Sequence, residues 1–347
     1  MPPKVPDAPS YVLWEITRAC NLRCDHCAAR AGVHRRDELD TEEALALCDD
    51  LATLGTPAVC LMGGEPLVRA DWKQLATRLA ERRVAVGLIS NGWALDDELV
   101  AELPSLGVVQ VGISLDAADG ERHDRMRGRK GAHDRALAAI RRIAALAIPY
   151  RTVITSVRRG NLSELPGIAD WLCKNAEGCT WMVNIASPHK ETRARRDEFL
   201  APEQFEEIAC FVSTYREKLR GRLNVTATHD LGYFSKRYPD LHDFDWQGCV
   251  AGIETLGIRS NGDVTGCLVL DDSFIEGNVR TQPLAELWRD PTAFSYNRGF
   301  DPSWLRGICA GCEQGAVCRG GCRDHAVSFT GDRFAYPFCL HNEEQGC

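Results

Sequence analysis

The 347-residue sequence lacks the features of an exported or membrane-spanning protein. Its first ten residues, MPPKVPDAPS, contain no apolar segment and no small-residue cleavage site, so they do not resemble a secretory signal. No run of about eighteen apolar residues occurs, which argues against a transmembrane helix. We therefore expect a cytoplasmic protein that has no membrane partner.

The sequence also lacks any long run of one charge. It contains 41 lysines and arginines against 49 aspartates and glutamates, for a formal net charge of -8. The arginine-rich stretch 193–196 has acidic neighbours, so a nucleic-acid partner is not expected. No internal repeat or low-complexity segment is present. The hydrophobic fraction of 44% and the charged fraction of 26% are those of an ordinary globular protein with one large domain or two.

Cysteine, in contrast, is abundant. The chain has 16 cysteines, most of them in tight groups. Because the cytosol keeps thiols reduced, a disulfide framework is not expected, and grouped cysteines favour a metal or cluster site. Cysteines outside the groups fall in predicted helices and strands and are expected to act as small core residues. They are Cys48, Cys60, Cys173, Cys179 and Cys210.

Strand and helix patterns alternate over residues 11–187. Six apolar segments with β-type composition are separated by amphipathic helical patterns, which predicts a parallel sheet covered by helices on its outer side. This order indicates an α/β fold, a partial (β/α)6 barrel of the TIM type. The predicted strands are 11–17, 58–63, 84–90, 108–114, 150–157 and 180–186. The predicted helices are 41–54, 71–82, 96–103, 132–147 and 161–174.

The pattern changes after this barrel. Residues 188–248 form a bridging region with one predicted helix at 202–219. From residue 249 onward, glycines and cysteines crowd together and regular patterns become short, as expected of a small domain whose core is inorganic. We therefore predict a barrel domain at 1–187, a bridging region at 188–248 and a cysteine-rich domain at 249–347.

The first cysteine group, Cys20, Cys24 and Cys27, follows the first predicted strand as CxxxCxxC. Three thiolates on one loop can hold three irons of a [4Fe–4S] cluster, which leaves the fourth iron open for a small molecule. The loop follows the carboxyl end of a barrel strand, where barrel active sites are built. A zinc site completed by His26 is the alternative, since zinc binds four such ligands.

This motif resembles that of the radical S-adenosylmethionine (SAM) enzymes. The resemblance implies that the open iron chelates the amino and carboxylate groups of SAM. His26 stands where the family usually has an aromatic residue beside the cluster. Gly63, Gly64 and Glu65, at the end of the second strand, match the family's GGE motif and would bind the SAM amino group.

The next two strands also end in polar residues. Ser90 and Asn91 follow the third predicted strand, while Ser114 and Asp116 follow the fourth. Each alone is typical of a turn or a helix cap. Together, one set at each successive strand end, they match the family, and the resemblance implies contacts with the methionine carboxylate and the ribose of SAM.

The second cysteine group resembles the SPASM extension of radical SAM enzymes. It comprises Cys249, Cys267, Cys309, Cys312, Cys318, Cys322 and Cys339. The resemblance implies two auxiliary [4Fe–4S] clusters. Cys249, Cys267 and Cys322 would hold the inner one, and Cys309, Cys312, Cys318 and Cys339 the outer one. Some relatives have another cysteine where this chain has Thr255. The fourth ligand of the inner cluster is therefore open, and Cys347 is a candidate.

The implied reaction begins with reductive cleavage of SAM to a 5′-deoxyadenosyl radical, which takes hydrogen from the substrate. The auxiliary clusters favour an oxidative outcome: formation of a C–S or C–C bond, or decarboxylation. The expected partners are a peptide substrate and an electron donor such as flavodoxin or ferredoxin. Only 19 residues precede Cys20, so a leader-recognition domain is not expected, and a separate leader-binding protein could replace it.

Alternatives to this function remain open. The first cysteine motif also resembles members that act on mycofactocin precursors and on haem-type tetrapyrroles, so a small molecule is the alternative substrate. A non-catalytic electron carrier is a further alternative. Leu268 stands where sulfatase-maturing relatives have an acid, which disfavours that activity. No catalytic base can be named from the sequence, since the polar residues of the bridging region are expected to be structural. They are His189, His229, Asp230 and Tyr233.

Overall fold

The computed structural model describes residues 3–190, 192–201 and 203–345. Its centre is one ten-stranded open sheet with the strand order β10-β9-β8-β1-β2-β3-β4-β5-β6-β7. The strands are β1 Tyr11–Thr17, β2 Ala58–Gly63, β3 Ala85–Ser90, β4 Val108–Ser114, β5 Tyr150–Val157, β6 Thr180–Ile185, β7 Asn224–Ala227, β8 Thr255–Ile258, β9 Asp263–Thr265 and β10 Gly277–Asn278.

Helices connect the strands and cover the sheet. In the barrel region they are α1 Thr41–Leu54, α2 Trp72–Glu81, α3 Asp97–Glu102, α4 Gly120–Arg127, α5 Ala132–Ala144 and α6 Leu165–Asn175. They continue as α7 Gln204–Lys218, α8 Leu284–Arg289, α9 Ser295–Arg298, α10 Gly315–Cys318, α11 Arg323–His325 and α12 Leu340–Gln345. In the described part of the chain, no helix combines the length and the apolar character that crossing a bilayer requires.

Strands β1 to β7 are parallel, and the sheet is not closed into a barrel. This confirms the predicted partial α/β barrel. The structure adds a seventh parallel strand, β7, from the bridging region. It also adds β8 to β10 from the cysteine-rich region, because β8 pairs in parallel with β1 on the side away from β2. The sheet therefore runs through all three predicted regions.

The apolar segments form the core as the pattern predicts. The side chains of Trp14, Leu61 and Val86 on neighbouring strands are fully buried. Helix α1 begins at a capping box, in which the Asp40 carboxylate accepts the Glu43 N–H and the Glu43 carboxylate accepts the Asp40 N–H. Strands β1, β2, β4 and β5 have the predicted bounds, while helix α5 ends at Ala144 rather than at residue 147.

The cysteine-rich region is fastened to the barrel by polar contacts beside β1. The buried Glu15 carboxylate accepts hydrogen bonds from the Ser260 hydroxyl at 2.9 Å and from Arg35 at 3.3 Å. Arg280 makes a second link, since its Nε and Nη2 atoms donate to the two carboxylate oxygens of Glu43 at 2.6 and 2.7 Å. Arg280 also donates to the carbonyl oxygens of residues 37, 38 and 261. One side chain thus joins the start of α1 to the β8–β9 turn.

We expect Arg280→Met to loosen this junction. The bidentate ion pair is partly exposed and therefore screened, so the expected loss is about 1 kcal/mol of unfolding free energy. The measurement is the thermal unfolding midpoint of the anaerobic holoprotein by circular dichroism. Arg289→Met, which changes an exposed arginine of α8, is the matched control and should leave the midpoint unchanged. Equal midpoints for the two variants would show that the Arg280 contacts do not secure the region.

Candidate active site

A cavity opens where the carboxyl ends of β1 to β4 meet. Polar strand-end residues and all three cysteines of the first group converge on it. Its lining consists of Cys20, Leu22, Cys24, His26, Cys27, Ala31, Met62, Gly63, Gly64, Ile89, Ser90, Asn91, Ser114 and Arg127. The structure therefore brings together six of the eight residues predicted to contact SAM, while Glu65 and Asp116 lie behind the lining.

The first cysteine group fits a cluster. Cys20, Cys24 and Cys27 are free thiols on one loop. Burial, together with smaller effects of the neighbouring Cys24 and Cys27, raises the pKa of Cys20 to about 11. The backbone N–H groups of Leu22 and Ala31 point at Cys20 Sγ and Cys27 Sγ, at 3.4 and 3.3 Å. Three partly buried sulfurs on one loop, two of which face backbone N–H donors, suit thiolates bound to iron.

Two side chains add donors to these sulfurs. Asn91 Nδ2 lies 3.9 Å from Cys20 Sγ, and Arg127 Nη1 lies 3.8 Å from Cys24 Sγ. Asn91 comes from the end of β3 and Arg127 from the end of α4. Donors of this kind stabilise negative charge on sulfur.

The double glycine after β2 is required by the close approach of two backbones. The N–H of Gly64 donates to the Thr17 carbonyl at 2.8 Å, and that of Glu65 donates to the Ala19 carbonyl at 2.8 Å. A Cβ on Gly64 would lie 2.2 Å from the Ala19 oxygen, and one on Gly63 would lie 2.2 Å from the Thr17 oxygen. The segment therefore sits directly on the backbone of the cysteine loop.

Glu65 organises the neighbouring strand end. Its buried carboxylate accepts the Ser90 hydroxyl at 2.8 Å and the Asn91 N–H at 2.8 Å. Burial raises the pKa of Glu65 to about 7, although those two donors oppose the shift. The structure thus places Glu65 behind the cavity, where it positions Ser90 and Asn91.

Asp116 is the buried centre of a charge cluster. Its Oδ2 atom lies 2.8 Å from Arg127 Nη2 and 3.3 Å from His26 Nε2, and its Oδ1 atom accepts the Ser156 N–H. Burial alone would raise the pKa of Asp116, but Arg127 and His26 pull it well below its usual value. The carboxylate is therefore ionised and orients the guanidinium that lines the cavity.

His26 is held from both sides. Its Nδ1 atom lies 3.1 Å from Asp25 Oδ1, and its Nε2 atom faces Asp116. Burial alone would lower the pKa of His26, but the two carboxylates raise it above its usual value. Asp25 in turn pairs with Arg158 at 2.6 Å. Charges of alternating sign therefore run along one side of the cysteine loop.

Arg127 was missed from the sequence, as was its helix α4. The helix has the sequence GERHDRMR and only three buried side chains, so no apolar stripe indicates it. The available signal was local: Asp119 accepts the Arg122 N–H as an N-cap, and Gly128 ends the helix in the left-handed region at φ 66°.

Thiols of the second cysteine group act on one another. Burial raises the pKa of Cys322 well above its usual value, and Cys249 and Cys267 add to the shift. Burial, together with smaller effects of Cys318 and Cys309, raises the pKa of Cys339 to about 12.

Cys312 acts on Cys309 in the same way, raising the pKa of a thiol that burial has already raised. In each of these cases the neighbouring thiols come from one predicted ligand set, and the two sets stay a prediction. Trp246 Nε1 also points at Cys318 Sγ, at 3.4 Å.

The structure shows contacts for most of the residues whose roles the sequence left open. The Thr255 hydroxyl donates to the Gly266 carbonyl at 3.0 Å, so it is already used by the backbone. Cys347 lies outside the described residues. In the bridging region, Asp230 accepts the Ile185 N–H at 2.6 Å, and Tyr233 donates to the His229 carbonyl. His189 faces Asp324 of the cysteine-rich region at 3.3 Å.

A single ion has no ready site in the described residues, since no three or more His, Cys, Asp or Glu side chains are grouped closely enough to hold one. A cube spreads its thiolates over different irons, so its ligands lie farther apart than those of one ion.

Comparisons with known proteins identify the family. A model described as the Radical SAM superfamily matches residues 14–172, and the SPASM model, an iron–sulfur cluster-binding domain, matches residues 249–313. An AdoMet-dependent heme synthase of Methanosarcina barkeri is 31% identical over 350 residues, which cover 96% of this chain and 97% of the relative. The chain belongs to the radical SAM superfamily. The predicted family is thereby confirmed.

Another relative of this chain is a PqqA peptide cyclase of Granulibacter bethesdensis. The two are 30% identical, over 94% of this chain and 85% of the relative. Among solved structures, Streptococcus suis SuiB bound to S-adenosylmethionine has the same fold. Its TM-score is 0.76 at 17% identity, over 95% of this chain and 76% of that one. The named relatives are synthases and cyclases, so the chain is an enzyme rather than a non-catalytic electron carrier.

We expect Gly64→Ala to displace the cysteine loop, because its Cβ would clash with two backbone oxygens, of Ala19 at 2.2 Å and of Arg18 at 2.6 Å. The variant should lose the iron held by the first cysteine group, about four atoms per chain. Iron analysis after anaerobic reconstitution measures this. Gly160→Ala is the control, since no atom lies within 4 Å of a Cβ there. Full iron in Gly64→Ala would contradict the close-approach argument.

Proposed function

We propose that this enzyme reductively cleaves SAM in the cavity and uses the resulting radical to oxidise a peptide. The observation that carries the proposal is the convergence of Cys20, Cys24 and Cys27 with the strand-end residues on one cavity. When bound there, a [4Fe–4S] cluster would supply the electron that cleaves SAM to methionine and the 5′-deoxyadenosyl radical.

The cavity residues would divide the work of holding SAM. The Gly63–Gly64 backbone and Ser90 would take its polar groups, and Arg127 supplies the cation that attracts a carboxylate. Asp116 fixes that guanidinium, and Glu65 fixes Ser90. Leu22, Met62 and Ile89 supply apolar lining, which keeps water from a reactive intermediate.

The cysteine-rich region would hold two auxiliary clusters with the ligand sets predicted above. This division is supported by the thiols that raise one another's pKa, since these come from the same predicted set. The predicted sets include Cys318, Cys322 and Cys339, which follow the residues matched by the SPASM model. The predicted boundaries at 187/188 and 248/249 would then divide the chain by function. They do not divide it into separate sheets, since strands of all three regions pair within one sheet.

The substrate would lie along the segment that follows β6. Ser187 donates to Asp324 at 2.7 Å, two residues after Cys322. Farther on, Arg193 donates to the Cys24 carbonyl at 3.1 Å. The segment therefore touches both cysteine regions. A peptide is supported by the relatedness to PqqA peptide cyclases, and a leader-binding protein and a flavodoxin- or ferredoxin-type donor would be its partners.

A carboxylated tetrapyrrole is the second candidate substrate. The observation in its favour is the length of the match: three AdoMet-dependent heme synthases are covered over 97%, 92% and 87% of their chains. An Fe-coproporphyrin III synthase is also 29% identical over 98% of this chain. In that case, the oxidative outcome would be decarboxylation.

We expect the reconstituted protein to release 5′-deoxyadenosine from SAM under dithionite, and Cys24→Ala to lose at least about 100-fold of that rate, because the cluster loses a ligand. Cys210→Ala, which removes an exposed helical thiol, is the control and should keep the wild-type rate. Liquid chromatography of the quenched reaction measures both. Release that survives in Cys24→Ala would exclude the proposed cluster.

The substrate class is tested by supplying the two candidate substrates in separate reactions. Reconstituted enzyme is given SAM and dithionite with either synthetic peptides from short reading frames beside its gene or Fe-coproporphyrin III. The peptide proposal expects a peptide that has lost two hydrogens for each 5′-deoxyadenosine formed. Loss of carbon dioxide from the tetrapyrrole, with every peptide unchanged, would refute it in favour of the second candidate.

A further inference from the structure

Two arginines of the cysteine-rich region are buried without an acidic partner. Arg323 has 0% of its surface exposed and Arg319 has 6%. Neither guanidinium forms an ion pair with a carboxylate of the described chain. Arg323 Nε and Nη2 and Arg319 Nη1 are buried and have no hydrogen-bond partner there. A buried charge without a counter-ion is prohibitively costly, so an anion must face these donors in the working protein.

Cysteines of both auxiliary sets flank these cations. Arg319 directly follows Cys318 of the outer set, and its guanidinium packs against Gly248, the residue before Cys249 of the inner set. Arg323 directly follows Cys322 of the inner set, and its Nη1 atom lies 3.5 Å from where a Cβ on Gly320, the residue after Arg319, would stand. Both arginines therefore lie where the two sets approach each other.

Packing fixes the two side chains in place. A Cβ on Gly248, the residue before Cys249, would lie 2.3 Å from Arg319 Nε, so glycine makes room for this guanidinium. Arg319 Nη2 also donates to the Gln247 carbonyl. Arg323 lies over the Phe334 ring at 4.6 Å and donates to the Arg333 carbonyl at 3.1 Å. The unpartnered N–H groups are thus held rigidly.

The backbone at Arg319 has a conformation that favours glycine. Its φ of 56° is left-handed, and Gly320 and Gly321 follow at 78° and 71°. Glycine adopts this region freely, whereas a residue with a Cβ is strained there. A change of Arg319 to glycine is therefore compatible with the backbone.

We infer that Arg319 and Arg323 are shared counter-cations of the two auxiliary clusters and raise the reduction potentials of both. A [4Fe–4S] cluster with cysteine ligands is anionic and gains a further negative charge on reduction, so a buried cation favours its reduced form. Neither arginine would touch the substrate, because each would act on the reaction through the clusters. The inference rests on the two-cluster assignment proposed above.

The test is a redox titration followed by electron paramagnetic resonance. Changing Cys20, Cys24 and Cys27 to alanine in every sample leaves only the auxiliary signals. Arg319→Gly is the main variant, since glycine suits the backbone and the protein should fold. Arg323→Met is the second variant, and Arg319→Lys keeps the charge. Arg83→Gly is the matched control, because Arg83 is also left-handed, at 65°, but exposed in the turn after α2.

We expect Arg319→Gly and Arg323→Met to shift both auxiliary potentials to more negative values. Arg319→Lys should shift them less, and Arg83→Gly should not shift them. Unchanged potentials in both main variants, with iron equal to that of their background, would overturn the inference and leave the proposed function intact. A background protein without auxiliary iron would instead overturn the two-cluster assignment, and the inference with it.

Discussion

The pairing of β1 on both of its edges is the constraint on which the rest of the structure depends. On one side β2 sets the double glycine against the loop that carries Cys20, Cys24 and Cys27. On the other side β8 pairs with residues 11–14, so the chain segment between Cys249 and Cys267 is built onto the same sheet. A single strand therefore fixes the position of the first cysteine group relative to the auxiliary ones.

Contacts away from β1 complete this arrangement. The segment after β6 reaches Asp324 through Ser187 and the cysteine loop through Arg193. The cysteine-rich region is thus held both to the sheet at β1 and to the chain leaving β6. A substrate bound there would be enclosed by both regions, which is what a reaction that must exclude water requires.

Much of this structure could be predicted from the sequence, for physical reasons. Buried parallel strands are short apolar runs that end at glycine or a polar residue, so four of the first five have their predicted bounds. Strand β7 was missed because NVTA is only four residues long. Helix α4 was missed because it has no apolar stripe, and Arg127 was missed with it.

Residues whose roles depend on distant contacts were harder to predict. Cysteine spacing and family resemblance were enough to propose the ligand sets, but Glu65 and Asp116 could not be seen to lie behind the cavity. Arg319 and Arg323 resemble surface residues in the sequence, since arginine is rarely buried without a partner. Only the folded chain shows that both guanidiniums are buried and form no ion pair with a carboxylate of the described residues.

The charges around the cysteine groups suggest why one chain would hold clusters with different tasks. Beside the first group, the cations Arg127, His26 and Arg158 are each paired with a carboxylate, Asp116, Asp25 or Glu198. Such pairs orient donors while adding little net positive charge. Between the auxiliary sets, Arg319 and Arg323 form no ion pair with a carboxylate of the part of the chain that the structure describes. With these charges, the proposed first cluster would stay a strong reductant, as cleavage of SAM needs. The proposed auxiliary clusters would be better suited to accept the electron that the substrate radical loses when it becomes the oxidised product.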